Sequence, residues 1–251
     1  MFREYIFSAS SALALSFASL LPIQAKACGD DAPMRDVNVD VAQTSYRVIN
    51  FVPKGWKLYD KVDGDLNGDG RNDSALVIQK NDPIGMVQNP DGLGSDEYDA
   101  NPRILIIVFA DEKGGYRRVG MNDVIIPDHD SPTISDPYAD MSIANGKLFL
   151  RLEFFASAGS WTMFNKEFNL RWDGANMNLI GYDMHMVHRA SGAVADVSAN
   201  FLTGKIIISE GNIENEAEKS KVRQMKKPHK YRLEDIENGF QFEPDSNLYS
   251  L

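Results

Sequence analysis

Cysteine is almost missing. Cys28 is the only one in 251 residues, so no internal disulfide can form and stability has to come from packing or from a bound ion. Histidine is nearly as scarce. The four residues, His129, His185, His188 and His229, offer no convincing metal pair, because His185 and His188 stand three apart on an expected strand and so face opposite sides. No G-x-S-x-G elbow, phosphate-cradling G-x-x-x-x-G-K-[ST] loop, complete G-x-G-x-x-G turn or H-E-x-x-H pair occurs. Those gaps argue against phosphoryl transfer, dinucleotide redox chemistry and zinc peptidase chemistry. Basic residues are outnumbered, 26 against 36 acidic, for a formal charge of −10. That balance argues against nucleic acid and against adhesion to anionic lipid by charge alone. Beyond the N-terminus no apolar run reaches the length of a membrane span, so no transmembrane span is expected in the mature chain.

What the chain does have is globular composition, with 43% hydrophobic and 10% aromatic residues. Its first 27 residues read as a cleaved export signal: Arg3 in a short polar start, an apolar stretch over residues 6–21, the breaker Pro22, and Ala25-Lys26-Ala27 as an A-x-A cleavage site. Cutting after Ala27 leaves 24 basic and 35 acidic side chains, a charge of −11. The expected location is periplasmic or secreted. Cys28 would then be the first mature residue, and the alternative is a lipid anchor to the outer membrane through it. Ala25 and Lys26 stand where a lipoprotein signal carries Leu and a small neutral residue, which weighs against the anchor.

The apolar pattern of residues 28–251 has mostly period two. Leu148, Leu150, Leu152 and Phe154 alternate with Phe149, Arg151 and Glu153, a strand with one apolar face. Phe164, Phe168, Leu170 and Trp172 alternate with Asn165, Glu167, Asn169 and Arg171, and Asp173-Gly174-Ala175-Asn176 turns the chain into a second strand over residues 177–186. Residues 103–110, RILIIVFA, form a β-branched run short enough for a central strand buried on both faces; residues 74–79 and 205–209 read the same way. The longest punctuated stretch, residues 81–102, is expected to be a loop, and a loop of that length is often functional. Helix is scarce. Residues 214–227 place acids before bases, as a helix dipole favours, but Ile213, Ala217, Val222 and Met225 are too sparse an apolar face, so a solvated loop or short helix is expected there. Leu233 to Ile236 suggests one more turn. The fold expected is mainly β: a single compact antiparallel domain over residues 28–251, propeller-like or with sandwiched sheets, and with little helix.

The strongest chemical pattern is DGDLNGDGRND at residues 63–73. Asp65, Asn67, Asp69 and Asp73 occupy the first, third, fifth and ninth places of a D-x-N-x-D-G-x-x-D loop, the spacing that curls hard oxygen ligands around one cation, and the Arg71 carbonyl is the expected main-chain ligand. Oxygen donors with no His or Cys beside them select Ca²⁺. Asn-Gly and Asp-Gly pairs also make ordinary metal-free turns, but three acids in one short bend repel one another without a cation. The twelfth place, where an EF-hand puts Glu, is Leu76 inside an apolar run, so the loop leads into a strand.

In that respect the segment resembles the calcium-binding loops of integrin-type FG-GAP and VCBS repeats. Residues 65–79, then Asn81-Asp82-Pro83, Asp91-Gly92-Leu93-Gly94 and Asn101-Pro102-Arg103, with Gly159-Ser160-Trp161 and residues 198–204, resemble a family of exported bacterial proteins of unassigned function that carry one such loop. The resemblance covers about two thirds of the mature chain. It implies a periplasmic location and a β fold, and it implies no reaction. A propeller of the integrin kind needs several copies of the loop, and no second one occurs.

A second acidic stretch runs from Asp128 through His129, Asp130, Ser131 and Asp136 to Asp140. Two of its carboxylates could serve a hydrolase acting on sugars, or the stretch could hold a second, weaker ion, or it could simply be solvated. Trp161, Tyr98, Tyr116 and Tyr138, expected at a strand start and in loops, are candidates for a binding face or for packing. The functional expectation is an exported calcium-binding protein, more a binding or structural module for an envelope protein or polymer than an enzyme. The alternative is an exported hydrolase using residues 128–140.

Overall fold

The computed structural model describes Val37, residues 39–225 and residues 229–245. Residues 1–27, read above as an export signal, and Cys28 lie outside the described residues, as do the side chains of residues 215–218. The chain is mainly β, with antiparallel sheets and three single-turn 3-10 segments. β1 (Thr44–Ser45), β2 (Trp56–Gly64) and β3 (Asp73–Lys80) are followed by a small hairpin, β4 (Met86–Gln88) and β5 (Glu97–Asp99), and then by β6 (Arg103–Ala110) and β7 (Tyr116–Asn122). The five long-range partners form one sheet in the order β1-β7-β6-β3-β2. The second sheet is an uninterrupted meander of β8 (Tyr138–Ala144), β9 (Lys147–Phe154), β10 (Thr162–Trp172), β11 (Met177–His188), β12 (Ala193–Asn200), β13 (Lys205–Asn212) and β14 (Asn215–Gln224).

The β-branched runs explain the layering. In β3 and β6, alternate residues go to two different cores: Ala75, Val77, Leu105, Ile107 and Phe109 meet the seven-stranded sheet, while Leu76, Ile78, Ile104, Ile106 and Val108 meet Phe51 and Val41 on the other side. Both strands are therefore apolar at nearly every position, as a strand covered on both faces must be. Each fully buried Ile or Leu contributes about 1.5–3 kcal/mol relative to exposure. The seven-stranded sheet is buried on one face only, and its strands alternate accordingly: Leu148, Leu150 and Leu152 of β9 and Phe168 and Leu170 of β10 point into the shared core. The expected turn at residues 173–176 is present. Asp173 Oδ1 accepts the N–H groups of Ala175 (3.0 Å) and Asn176 (2.9 Å), and Gly174 takes φ +102°, which a residue with a Cβ adopts with strain.

Two expectations are corrected. Residues 81–102 are not one open loop, because a 3-10 turn (Pro83–Gly85) and the β4–β5 hairpin give that stretch its own hydrogen bonds. Residues 215–224 are neither loop nor helix. They pair along β13 as a charged edge strand, where Lys and Glu are at home because, among the described residues, one side of the strand has no neighbour. The turn expected near residue 233 is the 3-10 segment Leu233–Asp235. Beyond it Phe240 and Phe242 pack on Phe154, Phe164, Phe168 and Tyr182, and Lys166, on the core face of β10, donates from Nζ to the Phe240 (2.6 Å) and Phe242 (2.9 Å) carbonyls.

Candidate metal loop and the second acidic segment

The connection from β2 to β3 is the candidate calcium loop, and its shape is set by side chains accepting backbone N–H groups. Asp65 Oδ1 accepts from Gly68 (2.7 Å) and Asp69 (3.2 Å), and its Oδ2 accepts from Gly70 (2.8 Å). These donors, Gly70 first, hold its carboxyl below the usual carboxylate range. Asn67 Oδ1 accepts from the Asp69 N–H (2.9 Å), and Asp69 Oδ1 from the Arg71 N–H (2.9 Å). Gly68 and Gly70 take φ +80° and +81°, which lets the bend close after Asn67 and Asp69.

Asp73 closes the loop from the first position of β3. It is fully buried, with Oδ2 accepting the Leu66 N–H and Oδ1 the Ala110 N–H, both at 2.9 Å, so one carboxylate ties the loop to two strands. Burial pushes this carboxyl up. The two N–H donors oppose that rise, and the charges of Asp69 and Asp65 add to it. Two cations meet the segment: Lys61 pairs with Asp63, and Arg71 donates from a terminal guanidinium nitrogen to Asp69 Oδ2 at 2.6 Å, an oxygen to which Asn67 Nδ2 also donates at 2.9 Å. Arg71 Nε is buried without a hydrogen-bond partner. Among the described residues, no three Asp, Glu, His or Cys side chains converge on one point. The donor chemistry is nonetheless that of a hard cation: three carboxylates, one amide oxygen and a main-chain carbonyl within nine residues, and no nitrogen or sulfur donor.

The second acidic segment has a different use. Asp136 makes a bidentate ion pair with Arg103, whose side chain is only 4% exposed. It also accepts from the Tyr59 hydroxyl (2.9 Å) and the Tyr138 N–H (2.9 Å). Burial pushes the Asp136 carboxyl up, but the Arg103 guanidinium, with those two donors, holds it below the usual range. Arg103 also lies over the Tyr59 ring at 4.2 Å, and the Tyr138 hydroxyl donates to Asp60 at 2.5 Å. Residues of β2, β6 and β8 thus meet in one polar knot between the two sheets. Asp140 sits apart, 3.9 Å from Arg151, and the His129 ring nitrogen Nε2 is 2.7 Å from the Ile134 carbonyl. Asp136 is therefore engaged at both carboxyl oxygens within the fold.

The other candidates are dispersed. His185 meets Asp196 at 2.7 Å, His188 meets Ser191 at 2.8 Å, and His229 packs on Tyr231. Tyr98, Tyr116 and Tyr138 are strand residues, not loop residues: Tyr98 packs on His129, Tyr116 on the second core, and Tyr138 is buried. Trp161 is 64% exposed, beside the Arg189 guanidinium. Sequence reasoning passed over Arg103 and Lys166, although a lone cation at the head of an apolar run, or within an alternating apolar face, was visible in each case. Comparison with protein-family models, curated proteins and solved structures finds no match.

Proposed function

We propose that the protein is an exported, non-enzymatic binding or structural module of the bacterial envelope, stabilised by Ca²⁺ held in the loop of residues 63–73. Asp65, Asn67, Asp69 and Asp73 would supply side-chain oxygens and Arg71 its carbonyl. The observation that carries this reading is the place of Asp73: a fully buried carboxylate at the end of the loop, opposed in its ionisation by burial, supported by the Leu66 and Ala110 N–H groups, and opposed again by Asp69 and Asp65. A divalent cation would relieve that repulsion, displace the Arg71 guanidinium from Asp69 and tie the β2 and β3 ends together. The export part of the proposal is supported by the N-terminal sequence pattern and is compatible with the lack, among the described residues, of any helix long and apolar enough to cross a membrane.

The test is thermal unfolding with and without chelator. For a site of about 0.1 mM affinity, 1 mM Ca²⁺ adds about 1.4 kcal/mol, or roughly 3–6 °C in midpoint for a chain of this size. An unchanged midpoint, with no heat of Ca²⁺ binding by calorimetry and no effect of Asp69→Ala, would remove the calcium claim.

A further inference from the structure

The two sheets leave one long strand edge open among the described residues. At one end of the five-stranded sheet β1 is only two residues long. At its other end β2 lies beside β8: Asp60 accepts the Tyr138 hydroxyl, and a Cβ on Gly64 would meet Ile143 Cγ2 at 2.6 Å. Those two edges cover each other. β14 is different, with ten residues, β13 as its hydrogen-bonded partner on one side and, among the described residues, no strand on the other.

Its chemistry is as distinctive as its position. From residue 219 to its end β14 holds Lys219, Lys221 and Arg223 and no Asp or Glu, its two acids, Glu216 and Glu218, coming before them; four more Lys or Arg follow by residue 232, in a chain of net charge −10. The register Lys219↔Glu210, Lys221↔Ile208 and Arg223↔Ile206 puts three of these cations on one face of β14, two residues apart and so roughly 7 Å from one to the next. Lys219 and Lys221 are exposed. The opposite face carries Ser220, hydrogen-bonded to Ser209 at 2.8 Å, and Val222, which is 64% exposed opposite Ile207. A neighbouring strand would therefore meet cations on one face and an uncovered apolar spot on the other.

We propose that the open edge of β14 accepts an extended segment of a partner protein as an eighth strand, one in which acidic residues alternate with apolar ones. The acids would stand opposite Lys219 and Lys221, and an apolar residue would cover Val222. Directly opposed unlike charges stabilise an antiparallel pair and like charges destabilise it. Lys219 and Lys221 would thus disfavour a basic strand and select an acidic one. This inference does not depend on the calcium loop, which lies in the other sheet.

The experiment is fluorescence anisotropy of the full chain with a labelled peptide of about eight residues alternating Glu with Val and Ile. The expected result is saturable binding that Lys219→Glu/Lys221→Glu weakens about tenfold or more, the equivalent of two cross-strand charge pairs. Binding should also be lost when alternate peptide amides are N-methylated, which removes strand hydrogen bonds without altering charge. A circular-dichroism melt confirms that the variant is folded, as an exposed edge substitution should leave it. No binding, equal binding of a scrambled or N-methylated peptide, or equal binding of an oligothymidylate of matched charge would each overturn the proposal. The last of these would mark a general polyanion surface instead.

Discussion

The two acid-rich segments are built from the same residue type and end in opposite electrostatic states. In residues 128–140 the key carboxylate, Asp136, is met by a buried guanidinium and two further donors, and its charge is stabilised by the protein. In residues 63–73 Asp65 and Asp73 are met by backbone N–H groups, Asp69 by Arg71 and Asp63 by Lys61, while Asp73 is buried within reach of two like charges. A cluster of aspartates is thus not a ligand site by count. It becomes a candidate one where the fold withholds a fixed counter-charge.

The contrast can be broken hardest at Arg103. Replacing Asp136 by Asn leaves the 4%-exposed guanidinium unpaired, and should cost about 3 kcal/mol in urea unfolding, the low end for a buried pair because Asp136 keeps part of its side chain in water. Arg103→Met/Asp136→Leu should recover much of that loss.

Lys166 extends the comparison to a buried cation that, among the described residues, has no carboxylate at hydrogen-bonding distance. Burial lowers its pKa to about 8 from 10.5, with Glu243 opposing. The unfolded chain therefore holds a proton there that the folded chain has lost, so stability rises with pH between those values, by up to about 3 kcal/mol. Subtracting the pH profile of Lys166→Met from that of the unaltered chain isolates this slope. A flat difference would mean that the amine keeps its ordinary affinity for a proton.

The proposed Ca²⁺ binding predicts the next effect in size. The stabilisation of about 1.4 kcal/mol by 1 mM Ca²⁺ should vanish in Asp65→Asn and Asp73→Asn and persist in full in Asp136→Asn, although the last starts from a lower baseline. Loss of the shift in all three would erase the distinction between the segments.

The finest test is the sign of two titrations followed by carboxyl-carbon NMR in chelator. Asp136 should titrate below the ordinary range, contributing stability that is present above pH 3.8 and lost as pH falls through its folded value. Asp73 should titrate above that range, its contribution present below pH 3.8 and lost as pH rises through its folded value. Arg103→Met should raise the first and leave the second.

Strand placement was readable wherever burial repeats along the chain. The run RILIIVFA became β6, buried on both faces, and the alternation from Phe164 to Trp172 became β10 with the turn at Asp173. Edge strand β14 was misjudged because a strand with only one neighbour has little apolar burial to record, and its Glu and Lys residues resemble a solvated helix as closely as a charged edge. Residues 81–102 were misjudged because β4 and β5 are three residues each, too short to show a period.

By itself, then, the sequence determined the β character, the central and one-faced strands and the oxygen-rich loop, since all three follow from local period and spacing. Only the tertiary structure decided that Asp136 belongs to Arg103, that Lys166 is held by the carbonyls of Phe240 and Phe242, and that β2 and β8 shield each other while β14 has one strand neighbour among the described residues. Those outcomes depend on which residues far apart in the chain meet, and on how much water is left around a charge when they do.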